Sequence, residues 1–226
     1  MKAKDFRLQA WGKLSGKWGT MALVMLVYAL IMLACDGLAF VGIGAIALII
    51  ISGPLTLGFT ILAMDVIADR PVSVEKLFDG FKDLTRSLVL YLIETILIAL
   101  WALLFIVPGI IKCYSYSMSF YILRDDPAIS ANEARKRSME LMVGHKWRLF
   151  CLDVSFIGWY LLSILTLGIL LLWIEPYHQT ARAAFYQDLM AQVGASTNTP
   201  APTEELPSPE EPAEEDDSDK VNPYNE

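Results

Sequence analysis

Four long apolar runs limit what this sequence can fold into. They cover residues 21–35, 38–66, 87–107 and 149–174. A helix that crosses a hydrocarbon core of ~30 Å needs about 20 mostly apolar residues. Hydrophobic residues make up 55% of the chain, whereas about 45 to 50% is usual in a soluble domain. The sequence therefore predicts an all-α membrane protein.

The lengths of these runs predict about six transmembrane helices. Residues 38–66 are too long for one straight span, and Pro54 predicts a kink or break because proline removes a backbone hydrogen bond. A short return helix over residues 110–123 follows the third run. Residues 149–174 divide at residues 166–168 into two spans, with one long span as the alternative.

Three basic, amphipathic segments precede apolar runs: residues 4–17, 73–86 and 131–143. In the first segment, Phe6, Ala10 and Leu14 lie on one face at helical spacing, which is typical of an interfacial helix. Ser73 and Ser130 have the side-chain type and position of N-caps. We therefore expect short interfacial helices between the membrane spans.

The distribution of Lys and Arg predicts the orientation. These residues cluster in residues 2–17, 70–86 and 124–148, with Arg182 further on. The turns predicted on the opposite side contain no Lys or Arg: residues 35–37, 108–109 and 166–168. Under the positive-inside rule, a multi-pass protein of the cell membrane with both termini in the cytoplasm is expected.

The composition changes sharply near residue 194. Residues 195–226 contain ten acidic residues and one Lys, so this segment carries the excess negative charge of a chain whose net charge is -7. Such a segment has too few apolar side chains to build a core. We predict a polytopic membrane domain over residues 1–193 and a disordered, acidic, Pro/Glu-rich cytoplasmic tail over residues 194–226.

Three equally spaced glycines suggest an internal repeat. Gly16, Gly80 and Gly144 are 64 residues apart, and each follows an amphipathic segment and precedes an apolar run. A proline-containing return segment comes next in each case, at Pro54, Pro108 and Pro176. Three hairpins built on one plan are one interpretation, and coincidental spacing is the alternative.

Seven polar residues are candidates for lining a cavity at membrane depth: Glu94, Lys112, Ser115, Ser119, Glu175, His178 and Arg182. An ionisable group at the centre of a bilayer costs about 2.5 to 3.5 kcal/mol, so it requires a partner or a wet cavity. Glu175, His178 and Arg182 share one helical face, as do Lys112, Ser115 and Ser119. The alternatives are a structural pairing of the last helix with Glu94 or Lys112, and ordinary helix packing by the two serines.

A second candidate site is a basic cluster at the membrane surface: Arg135, Lys136, Arg137, Lys146 and Arg148. It could contact anionic lipid, at about 1 kcal/mol for each charge. The alternative is that these charges only determine the orientation in the membrane.

The sequence gives no support for an enzyme. It contains no HExxH, GxSxG, P-loop or GxGxxG pattern. The two histidines are 33 residues apart, and Cys35, Cys113 and Cys151 have no metal-ligand spacing. We therefore expect no catalytic residues, no metal and no cofactor, and no binding to nucleic acid, since the basic residues lie beside the apolar runs.

Several segments resemble the DUF975 family of bacterial integral membrane proteins over about residues 1–190. They are LFDGF (77–81), PGIIK-YSYSM-FYIL (108–123), ISANEARKRSMELMVGHKWRLF (129–150), SFIGW (155–159), LTLGI (165–169) and PYHQTARAAFYQDL (176–189). The resemblance implies a bacterial cell-membrane protein without an assigned activity, and it supplies no catalytic residues. A transporter-like or lipid- or small-molecule-binding component is expected; the alternative is a non-catalytic scaffold whose acidic tail recruits cytosolic partners.

Overall fold

The computed structural model describes residues 2–39 and 43–198. These residues form ten α-helices and one 3-10 helix and contain no strand, which confirms the prediction of an all-α fold. In chain order the elements are α1 (Ala3–Leu14), α2 (Trp18–Ala39), α3 (Ile43–Ile67), the 3-10 helix (Val74–Asp83), α4 (Leu84–Leu104), α5 (Ile106–Tyr116), α6 (Ser119–Asp125), α7 (Ala131–Leu141), α8 (Lys146–Val154), α9 (Ile157–Leu165) and α10 (Leu171–Asn198).

Four helical stretches are long and apolar enough to cross a membrane. They are Trp18–Gly37, Ala47–Ile67, Val74–Leu104 and Lys146–Leu165, and their mean hydropathies are 2.1, 2.0, 2.3 and 1.6. Large apolar side chains on three of them point outward: Leu33, Leu103 and Leu165 are 67%, 84% and 81% exposed. Such apolar outer surfaces are compatible with a surrounding lipid phase.

Helix α3 lies at the centre of the fold, with α2, α4, α6, α10 and the 3-10 helix packed around it. The 3-10 helix approaches the α3 backbone so closely that only glycine fits at two positions. A Cβ atom on Gly58 would lie 1.9 Å from the carbonyl oxygen of Leu77, and one on Gly80 would lie 2.0 Å from that of Pro54. This junction anchors the start of α4 against the middle of α3.

Helix α1 presents the predicted apolar face to the protein. Phe6, Ala10 and Leu14 are buried, and the Phe6 ring lies edge-on against Phe185 of α10 at 5.4 Å between centroids. Trp11, on the adjacent face, is 54% exposed. The face that was assigned to a membrane interface therefore also holds the first helix against the last.

Helices α2 and α3 are longer and more continuous than predicted. The prediction of a turn at Asp36 and Gly37 is wrong, because these residues lie within α2, which continues to Ala39. Of the kink or break predicted at Pro54, the break does not occur, because α3 continues through this residue. The hydroxyl of Thr56 donates to the Ser52 carbonyl at 2.7 Å, and such local bonds accompany proline inside an apolar helix.

The segment between α4 and α7 also departs from the predicted positions. Ser73 makes no side-chain cap bond. The chain reverses at Phe105, which has an extended backbone, and Pro108 lies in the first turn of α5, where proline removes no helical hydrogen bond. The predicted helix over residues 110–123 is divided at Ser117 and Met118 into α5 and α6.

Two boundaries in the second half are confirmed. The Ser130 hydroxyl accepts a hydrogen bond of 3.2 Å from the Glu133 N–H, which caps α7. Leu167 and Gly168 adopt positive φ values of 52° and 84°, so the helix is interrupted between α9 and α10, and residues 149–174 do not form one continuous helix. Helix α10 continues through Pro176 to Asn198, past the predicted boundary at residue 193. The rest of the predicted tail, residues 199–226, lies outside the described residues.

Candidate functional site: a polar cavity among five helices

A cavity of about 450 Å³ lies among α3, α4, α5, α6 and α10. We call it the central cavity. Its polar lining includes Thr56 and Thr60 of α3, Glu94 of α4, and Gln179 and Arg182 of α10. A smaller cavity of about 160 Å³, the side cavity, shares both threonines and Gln179. The two cavities therefore adjoin along one wall, between α3 and α10.

Glu94 is the acidic group of the central cavity. Its Oε1 atom is buried and has no hydrogen-bond partner among the described residues. The Ser119 hydroxyl interacts with the same carboxyl group, and Glu94 forms no ion pair in the described part of the chain. One oxygen of this carboxyl group is thus available to a molecule inside the cavity.

Aromatic side chains cover the wall of the central cavity that α5 and α6 form. They are Tyr114, Tyr116, Phe120 and Tyr121. The Tyr121 hydroxyl is buried and, among the described residues, without a hydrogen-bond partner. Cys113 lies in the same wall as a free thiol. The cavity therefore combines one carboxyl group with several aromatic rings.

Arg182 is the cation of the central cavity, but its charge is already balanced. Its Nε donates to Oδ1 of Asp153 at 3.1 Å, and its Nη2 donates to Oδ2 at 2.6 Å. This bidentate geometry is the strongest arrangement of a guanidinium and a carboxylate. Asp153 belongs to α8, so the pair joins α10 to α8 behind the cavity wall.

A chain of hydrogen bonds continues from Asp153 along α10. Its Oδ1 lies 2.8 Å from His178 Nε2, and His178 Nδ1 lies 2.9 Å from the Tyr160 hydroxyl. Tyr160 also lies 2.8 Å from Glu175 Oε2, and the Gln179 amide donates to Glu175 Oε1 at 3.1 Å. Glu175 and Gln179 then line the side cavity. The predicted face of α10 is therefore one polar network.

The structure brings together only part of the predicted cavity lining. Glu94 and Arg182 line the central cavity, Glu175 lines the side cavity, and His178 lies in the network behind them. Pairing of α10 with Glu94 or Lys112 was the alternative, but the partner of His178 and Arg182 is Asp153.

The stripe of Lys112, Ser115 and Ser119 does not act as a unit. Lys112 lies over the Trp101 ring, 5.5 Å from its centroid. Ser115 and Ser119 are buried, and their hydroxyls donate to carbonyls of Ile111 and Tyr116 in the preceding turn. The break between α5 and α6 separates Ser119 from Lys112 and Ser115. The two serines contribute to helix packing, and Ser119 also interacts with Glu94.

The basic cluster divides into half-buried and exposed members. The Arg135 guanidinium lies over the Tyr116 ring at 5.4 Å and donates to the Asn132 side-chain oxygen at 2.7 Å, and Arg148 donates to Asp188 at 2.6 Å. Lys136 and Arg137 are exposed, and Lys146 is half-buried. The outer surface of α7 therefore retains the part of the cluster that can face a lipid headgroup.

Sequence reasoning missed a second buried carboxylate. Asp65, near the end of α3, is 4% exposed and forms ion pairs with Lys76 at 2.6 Å, Arg124 at 3.2 Å and Arg70 at 3.5 Å. The sequence does contain a signal for this carboxylate, because Asp65 lies at the end of an apolar run and precedes Lys76 by eleven residues. Tyr160 was also missed, because tyrosine is common in apolar helices and gives no signal of its own.

Lys13 connects α1 to the loop that follows α3. Its ammonium group donates to the Asp69 carboxylate, and this hydrogen bond holds the pKa of Asp69 below its usual value. Both side chains are exposed to solvent to a substantial degree. The contact is therefore a surface tie at the basic end of the fold.

Within residues 2–39 and 43–198, no group of three or more His, Cys, Asp or Glu side chains is placed to hold a metal ion. The fold and the cavity define a class of all-α protein with four helices long and apolar enough to cross a membrane. The chain belongs to the family described as "Protein of unknown function (DUF975)", whose model matches residues 1–115 and 106–193. No curated protein and no solved structure matches the chain.

Proposed function

We propose that this chain is a multi-pass protein of the bacterial cell membrane that binds a small polar molecule or a lipid headgroup in the central cavity. The observation that carries the proposal is the Oε1 atom of Glu94, which is buried beside the cavity and lacks a hydrogen-bond partner among the described residues. A buried polar atom without a partner costs about 1 to 3 kcal/mol. A ligand that bonds to this oxygen would remove that cost.

The order of the helices is compatible with six membrane spans. In addition to α2, α3 and α4, we assign one return span to α5 with α6, one outward span to α8 with α9, and one inward span to the first part of α10. Both termini are then on the cytoplasmic side, together with the basic segments around α1, the 3-10 helix and α7.

The internal repeat is part of the same proposal. Gly16 and Gly144 both adopt a left-handed backbone, with φ of 80° and 77°, and both follow an interfacial helix. Gly80 instead lies in the 3-10 helix against Pro54. The first and third units therefore share one turn geometry, which supports a common plan with a modified second unit.

Binding or transport fits the cavity better than catalysis. A network of hydrogen bonds between helices joins Asp153, His178 and Tyr160 to one another and to Arg182 and Glu175. The polar groups of this network therefore face one another. The thiol in the cavity wall, Cys113, has no neighbouring histidine among its described contacts. We therefore assign the chain no catalytic role, and we assign the exposed face of α7, with Lys136 and Arg137, to contact with anionic lipid.

Cys113 provides the test, because its thiol lines the central cavity. The wild-type chain in lipid nanodiscs is treated with the neutral reagent iodoacetamide, and the labelled site is found by peptide mass spectrometry. Labelling of Cys113 is expected if polar molecules enter the cavity, and native mass spectrometry should show a bound species that labelling displaces. Complete protection of Cys113 in a folded protein would contradict the proposal.

Cys35 tests the orientation in the same chain. It lies near the end of α2 that the proposal places outside the cell. A membrane-impermeant thiol reagent applied to whole cells should label Cys35, whereas Cys151, in α8, should react only after permeabilisation or not at all. Labelling of Cys35 from the cytoplasmic side alone would reverse the proposed topology.

A scaffold role is the second candidate, and the charge of residues 195–226 favours it. Ten acidic residues and one Lys in this segment could recruit basic cytosolic partners. Deleting residues 199–226 leaves all described helices intact. A scaffold should lose its co-purifying proteins on this deletion, whereas the binding function of the central cavity should be unaffected.

A further inference from the structure

We infer that the ligand of the central cavity carries a positive charge, as an organic ammonium group, with the Glu94 carboxylate as its counter-ion. This inference rests on the proposed function and names the chemical class of its ligand. It follows from the charges around the two cavities and from the side chains that surround Glu94.

The first observation is the charge balance of the lining. The ionisable carboxyl and guanidinium groups that line the two cavities are those of Glu94, Glu175 and Arg182. Arg182 is held by both oxygens of Asp153, so that pair is neutral as a whole. Among the described residues, Glu175 is bonded to the neutral groups of Tyr160 and Gln179. Apart from the neutral pair of Arg182 and Asp153, the ionisable carboxyl and guanidinium groups of the lining are therefore two carboxyl groups, which can balance the charge of a cation.

The second observation is the composition of the wall beside Glu94. Three tyrosines and one phenylalanine line the cavity from α5 and α6: Tyr114, Tyr116, Tyr121 and Phe120. The faces of aromatic rings attract cations, and quaternary ammonium groups are bound in cages of such rings. An anionic ligand would meet the same faces with repulsion, and Arg182, the cation of the cavity lining, is already engaged by Asp153.

The third observation is geometric. Lys112 could have neutralised Glu94 from α5, but it lies over the Trp101 ring. The Arg135 guanidinium lies over the Tyr116 ring and donates to Asn132, and it forms no ion pair with Glu94 among the described residues. A volume of about 450 Å³ leaves room for an organic cation beside the free Glu94 oxygen.

The test measures charge-selective labelling of Cys113 in the wild-type chain. Two methanethiosulfonate reagents are compared, one carrying a trimethylammonium group and one carrying a sulfonate group, and their rates are divided by those for a free thiol in solution. The cationic reagent should react faster at Cys113 by about tenfold or more. The reason is that the attraction between its positive charge and a carboxylate a few Å away inside a protein exceeds the energy that corresponds to a factor of ten in rate. Equal rates, or a faster sulfonate reagent, would overturn the inference.

Substitutions assign the preference to Glu94. Glu94→Gln should bring the ratio close to one, and Glu94→Asp should keep most of it. Glu75→Gln is the matched control, because Glu75 is exposed on the 3-10 helix and lies outside the cavity lining. A preference that survives Glu94→Gln would also overturn the inference. If that variant does not fold, protection of wild-type Cys113 from iodoacetamide by tetramethylammonium, but not by methanesulfonate, makes the same distinction.

The result separates this inference from the proposed function. If iodoacetamide does not reach Cys113, the cavity does not admit polar molecules, and the proposed function fails together with the inference. If iodoacetamide labels Cys113 but no cation preference is found, only the ligand class is wrong. Two kinds of nanodisc distinguish the two sources of an ammonium group: phosphatidylglycerol alone, and phosphatidylglycerol with phosphatidylethanolamine. Protection of Cys113 by phosphatidylethanolamine indicates a lipid headgroup. Protection of Cys113 by tetramethylammonium in phosphatidylglycerol alone indicates a soluble amine.

Discussion

Asp153 on α8 and Glu94 on α4 differ in how their carboxyl groups are satisfied. Asp153 bonds to both donors of the Arg182 guanidinium and to His178, so each of its oxygens has at least one partner. Glu94 faces the central cavity, where its Oε1 has no partner in the described part of the chain. Arg182 touches both environments, since it lines the cavity and pairs with Asp153.

This difference is the basis for the proposed distinction between a structural carboxylate and a ligand-binding one. A buried ion pair with complete hydrogen bonding fixes two helices relative to each other, and removing one partner leaves an uncompensated charge. A buried carboxylate without a complete set of partners contributes little to the stability of the fold, so a role other than stability must account for its presence. Asp65, with three cationic partners, belongs to the first kind.

The largest effect is expected at Asp153. Asp153→Ala leaves the Arg182 guanidinium without a counter-ion inside the proposed membrane domain, which should destabilise the fold by about 3 to 5 kcal/mol. Thermal unfolding in detergent, followed by circular dichroism, measures the loss. The control is Asp79→Ala, which removes the half-buried partner of the exposed Lys82. A normal melting temperature for Asp153→Ala would show that this network does not hold α8 to α10.

A smaller loss is expected at Asp65. Its cationic partners Lys76, Arg124 and Arg70 all keep some contact with solvent, so they can be rehydrated in part when the carboxylate is removed. Asp65→Asn should destabilise the fold by about 1.5 to 3 kcal/mol, the range for hydrogen bonds to charged groups. Limited proteolysis between α3 and the 3-10 helix should become faster. Unchanged proteolysis and melting would remove Asp65 from the structural group.

Little change in stability is expected at Glu94, in contrast to both aspartates. Glu94→Gln replaces a carboxyl group that lacks an ion pair among the described residues, so the melting temperature should stay the same or rise, with a change in unfolding free energy within about 1 kcal/mol. The same circular-dichroism melts test it beside Asp153→Ala. A loss as large as that of Asp153→Ala would place Glu94 among the structural carboxylates and break the distinction.

The smallest effect is expected at the exposed pair of Lys13 and Asp69. The hydrogen bond from Lys13 lowers the pKa of Asp69 in the folded state, so its contribution is present above the usual carboxyl pKa of about 3.9 and is lost as the pH falls through the lowered value. Melts of wild type and Asp69→Asn should differ slightly at neutral pH and converge in acid. Because the pair is exposed, high salt should also remove the difference.

Some of the site could be predicted from the sequence because charge inside an apolar run is rare. Glu94 and Arg182, now in the central cavity, and Glu175 and His178, now in the side cavity and its network, were selected on that basis. The stripe from Lys112 to Ser119 failed as a unit because helical spacing holds only within one helix, and the chain breaks at Ser117 and Met118. The partners of Asp153 could not be predicted from local spacing, because they lie 25 and 29 positions further along the chain.

The sequence alone determined the helical class, the apolar stretches and the helix boundaries that depend on local chemistry, such as the Ser130 cap and the turn at Leu167 and Gly168. These features follow from periodicity, length and side-chain type within a few residues. Only the tertiary structure decided which carboxylate is paired, because pairing depends on the positions of helices far apart in the chain. Glu94 and Asp153 are similar acidic residues in apolar runs, but Asp153 faces a guanidinium, whereas Glu94 faces a cavity.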